Sequence, residues 1–189
     1  MKLYITGPVG SGKSTLAKKL SQEMDIPFIS LDGVVYVPDA ADSWGNRKRE
    51  ESERDELFEK ALLSSDWVME DAGRKCFQTA MEQADWILLL DLPPRTRKWR
   101  IVKRYLKQKL GVEKCLYRPR FQMLKSMFRW SRNYDTGKDD LKKRLKGYGE
   151  KVLTAKSDRD VLKYSQNLID YHTIEKKARA AGMSMETVK

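Results

Sequence analysis

The chain has 189 residues, 40% hydrophobic and 34% charged, with a net charge of +11. That length gives room for one α/β domain with a real core and is short for two. Cys76, Cys115 and a single histidine exclude a disulfide scaffold or zinc framework, and no apolar run approaches the roughly 20 residues of a membrane span.

The charge is unevenly placed. Residues 95–150 carry 19 Lys/Arg against 5 Asp/Glu, a net of +14, which leaves the remainder at −3. Such a segment can bind nucleic acid, or it can supply arginines that clamp phosphates. A solvated helical face is the plain alternative for any one lysine. The apolar start is broken by glycines and Lys13, unlike a secretory leader, so a cytoplasmic protein with no membrane partner is expected.

The first predicted strand, Leu3 to Thr6, runs into Gly7-Pro8-Val9-Gly10-Ser11-Gly12-Lys13-Ser14. This fits the phosphate-binding pattern Gly-x-x-x-x-Gly-Lys-Ser without a mismatch, and a helical pattern follows from Lys13 to Met24. Glycines let the backbone wrap so that N–H groups converge, and the helix adds the positive end of its dipole. Lys13 would reach the β/γ-phosphates and the Ser14 hydroxyl would ligate Mg²⁺. Residues 7, 10–14 and Thr15 form the expected nucleotide site.

Ile26 to Leu31 reads as a buried strand ending at Asp32. In a parallel sheet that end shares an edge with the phosphate loop. Asp32 is then a contact for a substrate hydroxyl or a base, or simply part of an Asp-Gly turn with Gly33. Residues 33–52 are irregular and enter a helix through Leu63; Trp44 and Arg49 suit a substrate-binding flap, with packing and solvation as the alternative. Asp66 to Asp71 is the third strand. Its acidic end suits an Mg²⁺-organising carboxylate, with Asp71 the first choice and Glu70 the second, since neighbouring strand side chains point oppositely.

A helix over Lys75 to Gln83 leads to Trp86 to Leu92, a near-continuous apolar run that suits a central parallel strand. After Pro93-Pro94 comes a basic helix, Arg95 to Leu110, whose Arg97, Arg100 and Arg104 are spaced to share a face. Residues 111–150 mix arginines, among them Arg132 and Arg144, with aromatics, and helices are expected near 119–133 and 137–147. This segment is the expected lid, a part that closes and excludes water. Lys151 to Ala155 gives a fifth strand and Val161 to Ile169 a last helix. Residues 171–189 read as a polar tail, which makes a catalytic role for His172 improbable.

The order of these elements resembles the nucleotide-kinase branch of P-loop proteins, and most closely the bacterial topology-modulation, or FlaR-related, group. The resemblance rests on Gly7 to Ser14, Leu31-Asp32-Gly33-Val34-Val35-Tyr36, Trp67-Val68-Met69-Glu70 and Ala84 to Pro93. It implies an ATP- and Mg²⁺-dependent phosphotransferase acting on a small nucleoside, nucleotide or other acceptor. Adenylate kinases are similar in a looser way: Leu90-Asp91-Leu92-Pro93 precedes Arg100-Ile101-Val102-Lys103-Arg104. That implies Arg100 against the adenine, Arg104 on the transferring phosphoryl group, and Lys156 beside the adenine. Adenylate kinases carry Asp-Gly-Phe-Pro-Arg where this chain has Asp71-Ala72-Gly73-Arg74, so a monophosphate acceptor is not implied.

The expected fold is an α/β doubly wound five-stranded parallel sheet with a helical basic lid, one domain over 1–170 and a tail over 171–189. Lys13, Arg100, Arg104 and Asp32 are the expected catalytic residues. Asp32, Trp44, Arg49, Arg74, Arg132 and Arg144 would meet the acceptor, and Ser14 and Asp71 the metal. The alternative is a nucleotide-regulated DNA-binding protein using residues 95–150, although no groove-reading module occurs.

Overall fold

The structure is a computed structural model that describes residues 1–113 and 117–181; Cys115 and the last part of the expected tail lie outside them. In chain order the elements are β1 (Lys2–Thr6), α1 (Lys13–Met24), β2 (Phe28–Ser30), α2 (Leu31–Val35), β3 (Tyr36–Pro38), β4 (Asn46–Lys48), α3 (Glu51–Leu62) and β5 (Trp67–Asp71). Then come α4 (Gln78–Gln83), β6 (Trp86–Leu90), α5 (Pro94–Lys109), α6 (Phe121–Asp135), α7 (Leu141–Leu145), β7 (Val152–Ala155) and α8 (Asp158–Ala180).

Five strands form one sheet in the order β2-β5-β1-β6-β7, every pair parallel. This is the expected α/β architecture. Parallel sheets are covered on both faces, and side-chain alternation divides the strands between two cores. Tyr4, Trp67, Met69, Ile87 and Leu89 pack with Phe58, Phe77, Met81, Tyr134, Leu141 and Leu145 on one face. Leu3, Ile5, Val68, Leu88 and Leu90 pack with Leu16, Ala17, Leu20 and Leu168 on the other. Each fully buried side chain of this size contributes about 1.5–3 kcal/mol.

Because the strands are parallel, all their carboxyl ends meet at one edge. Register places Ile5 beside Glu70 and Thr6 beside Asp71. Glu70 therefore follows Val68 toward the face covered by α1, and Asp71 follows Met69 and Tyr4 toward the opposite face.

Local differences from the sequence reading have physical reasons. Residues 36–48 form a small antiparallel hairpin, β3 with β4, rather than irregular structure. Asp32 sits in the first turn of α2, not in a turn ending a strand. The last helix starts at a capping box, in which Asp160 N–H donates to Ser157 Oγ and Asp160 Oδ2 accepts from Ser157 N–H. It continues to Ala180, well into the expected tail. His172 is buried there with Nε2 3.1 Å from Met24 O, so tertiary packing orders a stretch whose own periodicity is weak.

Candidate phosphoryl-donor and acceptor site

The phosphate loop is shaped by contacts only glycine tolerates. Gly7 has φ +143° and Gly10 φ +79°; a Cβ on either would lie 2.7 Å from a backbone oxygen, Leu90 O or Arg97 O. The loop is thus pressed between the end of β6 and the first turns of α5. Ser11 N–H donates to Pro8 O at 3.2 Å and Leu16 N–H to Gly12 O at 3.0 Å, while α1 starts without a side-chain cap. The N–H groups of its first turn remain for an anion. Thr15 is exposed and Ser14 partly so, and Ser11 Oγ is buried without a partner.

Lys13 Nζ donates to Pro8 O at 3.2 Å. Burial pulls its amine below the ordinary lysine value, opposed by the charges of Glu70, Asp32 and Asp71, in that order, and helped by Arg104. Parallel topology sets the phosphate loop and the carboxyl ends of β2 and β5 at one edge of the sheet.

The two acidic residues ending β5 have different fates. Asp71 was the sequence's first choice for the metal shell, and its carboxylate is instead fully engaged. Oδ2 accepts from Gly73 N–H at 2.6 Å, Arg74 N–H at 2.5 Å and Tyr4 Oη–H at 3.4 Å, and Oδ1 pairs with the Arg74 guanidinium. The Asp71 side chain is fully buried. It builds the turn that follows β5 rather than facing Ser14. Glu70, buried on the α1 face, accepts one hydrogen bond on Oε1, from Ser30 Oγ at 2.7 Å.

Arg74 joins Asp71 to Asp32, donating from Nη2 to Asp32 Oδ1 at 2.5 Å, and its guanidinium lies 5.9 Å over the Tyr36 ring. Asp71 and Asp32 hold the guanidinium charge so firmly that its pKa rises further, although burial opposes this. Arg144, from α7, donates to Gly73 O and, at 2.6 Å, to Asp140 Oδ1. It fastens the helical segment to the same turn. Trp44 is half-buried in the hairpin loop, where its N–H donates to Asp42 and its carbonyl accepts from Arg118 N–H at 2.6 Å. Arg118 Nη2 donates to Ala40 O at 2.7 Å, so hairpin and basic segment are clipped together.

The arginine stripe of α5 is the largest departure. Arg97 is fully buried and holds α6 onto α5, donating to Leu92 O at 2.9 Å and to Ser131 Oγ, and pairing with Asp135. A guanidinium with five donors is well suited to such a joint, and it is not free to clamp phosphate. Arg100 does reach the nucleotide loop, donating to Ser11 O at 3.0 Å and to Asp158 at 2.8 Å. Arg104 pairs with Glu113 at 3.2 Å. Arg49 pairs with Glu53 one helical turn on, a local use rather than an acceptor contact. Arg132 is exposed on α6 and Lys156 is exposed after β7; neither side chain is drawn into the cluster.

Sequence reasoning left Glu70 second and missed Tyr4, Tyr36 and Arg118. Strand alternation says that Glu70 and Asp71 point oppositely, but only the side on which α1 packs decides which one shares a face with the helix that follows the phosphate loop. For Arg118 the sequence carries no local signal, because its partners lie in a hairpin far away in the chain.

The family described as an AAA domain matches residues 3–115. A shikimate kinase of Bacteroides fragilis is 29% identical over 104 residues, covering 50% of this chain and 58% of that protein. An adenylate kinase 2 of Synechocystis is 32% identical over 102 residues, covering 47% of this chain and 55% of that protein. The chain thus spans little more than half the length of these curated relatives. Among solved structures, a shikimate kinase from Acinetobacter baumannii in complex with shikimate superposes with a TM-score of 0.55 at 15% identity. It covers 92% of this chain and 93% of that chain, which shows a shared fold. Nothing among these likenesses supports the DNA-binding alternative. With its phosphate loop, its β2-β5-β1-β6-β7 parallel sheet and a match over more than half its length, the chain belongs to the AAA domain family.

Proposed function

We propose that the protein is an ATP-dependent kinase that moves the γ-phosphoryl group to a small acceptor. One observation carries this reading: the phosphate loop leaves the carboxyl end of β1 and Asp32 follows the carboxyl end of β2 in the same parallel sheet, where Arg74 binds Asp32. Donor and acceptor groups thus share one edge. Phosphoryl transfer asks for positioning and charge neutralisation rather than a covalent protein nucleophile, and those are the groups gathered here.

In this reading residues 7, 10–14 and Thr15 bind the phosphates by backbone N–H groups and Lys13 neutralises their charge. Arg100, already lying on Ser11 O, borders the adenine side with Lys156. Arg104 turns from Glu113 toward the transferred group. Asp32 accepts the proton of the acceptor hydroxyl, and Arg74 both orients Asp32 and offers a positive contact to an anionic acceptor. Residues 111–150 act as the lid, with Arg118 and Arg144 joining it to the acceptor side, in a single domain over 1–170.

Magnesium fits the residues present. The Ser14 hydroxyl and the Glu70 carboxylate are hard oxygen donors of the kind the ion takes, and Glu70 replaces Asp71 in that role. When bound, the ion neutralises phosphate charge. The relatives that carry the name shikimate kinase make a small hydroxy acid the first acceptor to try, followed by nucleosides and nucleotides. The finer resemblance to the topology-modulation group is supported by the Leu31 to Tyr36 and Ala84 to Pro93 stretches, and a cytoplasmic setting by the low cysteine content.

The test is turnover of ATP·Mg²⁺ against small hydroxy acids, polyols, nucleosides and nucleotides, with Lys13→Ala as control. One acceptor class should raise ADP release above the control. If none does, the kinase reading fails.

A further inference from the structure

Helix α5 has sixteen residues and no acidic side chain; from Leu92 to Val112 the chain contains no Asp or Glu at all. Its two faces differ sharply. Arg97, Ile101 and Gln108 are buried, whereas Trp99 is 66%, Leu106 52% and Leu110, at the cap of the helix, 77% exposed. At 3.6 residues per turn these three apolar side chains fall within about 40° of one another, on the side opposite Arg97 and Gln108. Arg95 and Lys103 flank them at about 40° on either side, and Lys98, Lys107 and Lys109 at about 80–100°. Val112, also exposed, extends the apolar line beyond the helix. Glu113, the first acid after the helix, pairs with Arg104, away from the stripe.

We propose that this face of α5 is a docking surface for an anionic lipid bilayer, with the helix lying in the headgroup plane. A central apolar stripe with cations on both flanks is the pattern of an interfacial helix. The apolar side chains enter the boundary between headgroups and acyl chains, tryptophan favours that depth, and flanking lysines extend their stems back to lipid phosphates. Charge complementarity singles out an anionic surface, since α5 offers it cations only. Nucleic acid would need cations along the centre and a row of flat rings for successive bases; the centre holds no cation, and beside the single ring of Trp99 it is filled by Leu106 and Leu110. The α5 helix is about 24 Å long and fixed on its inner face by Arg97, so it presents the stripe as a rigid edge. Docking of this kind is reversible and distinct from a membrane span, for which no helix among the described residues is long and apolar enough.

The full chain should be sedimented with vesicles of phosphatidylcholine alone and of phosphatidylcholine with about one third phosphatidylglycerol, a strongly anionic surface. Binding is expected to the anionic vesicles only, weakened at least about tenfold by raising salt from about 0.1 to about 1 M, where screening is nearly complete. The double variant Leu106→Glu, Leu110→Glu should bind at least about tenfold more weakly, from the lost apolar burial and the added negative charge. Its circular dichroism and its ATP·Mg²⁺ affinity should be unchanged, because both positions are exposed and away from the phosphate loop. A second variant, Lys98→Gln, Lys103→Gln, Lys107→Gln, should also weaken binding while keeping the apolar stripe. Equal retention on both vesicle types, no retention, or retention unaffected by the Leu106/Leu110 variant would overturn the proposal. So would binding of a single-stranded oligonucleotide with the same variant dependence, which would assign the face to nucleic acid. A wild-type dimer that the variant converts to monomer, without vesicle binding, would assign it to a second copy.

Discussion

Residues 7–15 carry their phosphate-binding groups on one continuous turn, whereas the groups facing them come from segments far apart in the chain. On the donor side the working atoms are backbone N–H groups and one lysine, and the shape is set by glycines pressed against Leu90 O and Arg97 O. On the proposed acceptor side they are side chains already engaged with one another: Tyr4 to Asp71, Asp71 to Arg74, Arg74 to Asp32, and Arg118 to the hairpin. A site built from local backbone is preorganised by the sequence that encodes it. A site built from tertiary ion pairs must exchange those partners when a ligand arrives, so its residues are tuned together.

The largest expected effect falls on the donor side. Lys13→Ala should lower ATP·Mg²⁺ turnover by about a hundredfold to a thousandfold, the scale of losing one charge-stabilising group, while thermal stability holds or rises. The sign follows from burial, which holds the folded-state amine below its unfolded value. The charged form is disfavoured in the folded protein, so this group's contribution to stability improves as pH rises, and removing it costs no stability. Its contribution to phosphate binding goes the other way. The basic limb of kcat/KM, which reports the free enzyme, should therefore begin below the ordinary lysine value and be absent in Lys13→Ala.

Next in size is the pair at the end of β5. Asp71→Asn leaves the Arg74 guanidinium without its buried partner and weakens the turn, a loss of about 3 kcal/mol that should lower Tm by roughly 6–12 °C in a chain of this size. Glu70→Gln should cost little stability and weaken the Mg²⁺ dependence of nucleotide binding about tenfold, read by titrating Mn²⁺ in the presence of ADP. Should the two variants exchange effects, the assignment of Glu70 to the metal is wrong. The smallest effect belongs to the clip between the hairpin and the basic segment. Arg118→Ala should change stability by less than about 1 kcal/mol and raise proteolytic cleavage within residues 39–45, because the loop tip loses the side-chain hydrogen bond to Ala40 O and keeps only the backbone bond to Trp44 O.

The contrast also explains what could be read from residues alone. The five strands and the phosphate loop were legible because each rests on a local pattern: short apolar runs, glycines at fixed spacing, a Lys-Ser pair. Arg97, Arg100 and Arg104 share a spacing, and spacing was all the sequence offered. Their separate fates, one buried against α6, one on Ser11 O and one on Glu113, depend on what packs against α5. Glu70 and Asp71 make the same point, since alternation separates them and only the placement of α1 ranks them. His172 lies in a weakly periodic stretch that α8 nonetheless carries, because contact with Met24 supplies what propensity does not.

Separating the two halves in one variant tests the account most directly. Asp32→Asn should be measured for ATP·Mg²⁺ affinity by calorimetry and for transfer of the γ-phosphoryl group to the acceptor found in the wild-type panel. The account predicts affinity within about twofold of wild type together with a loss of transfer of about a hundredfold or more, the range for removing a general base. Transfer retained, or lost only in step with ATP affinity, would contradict it.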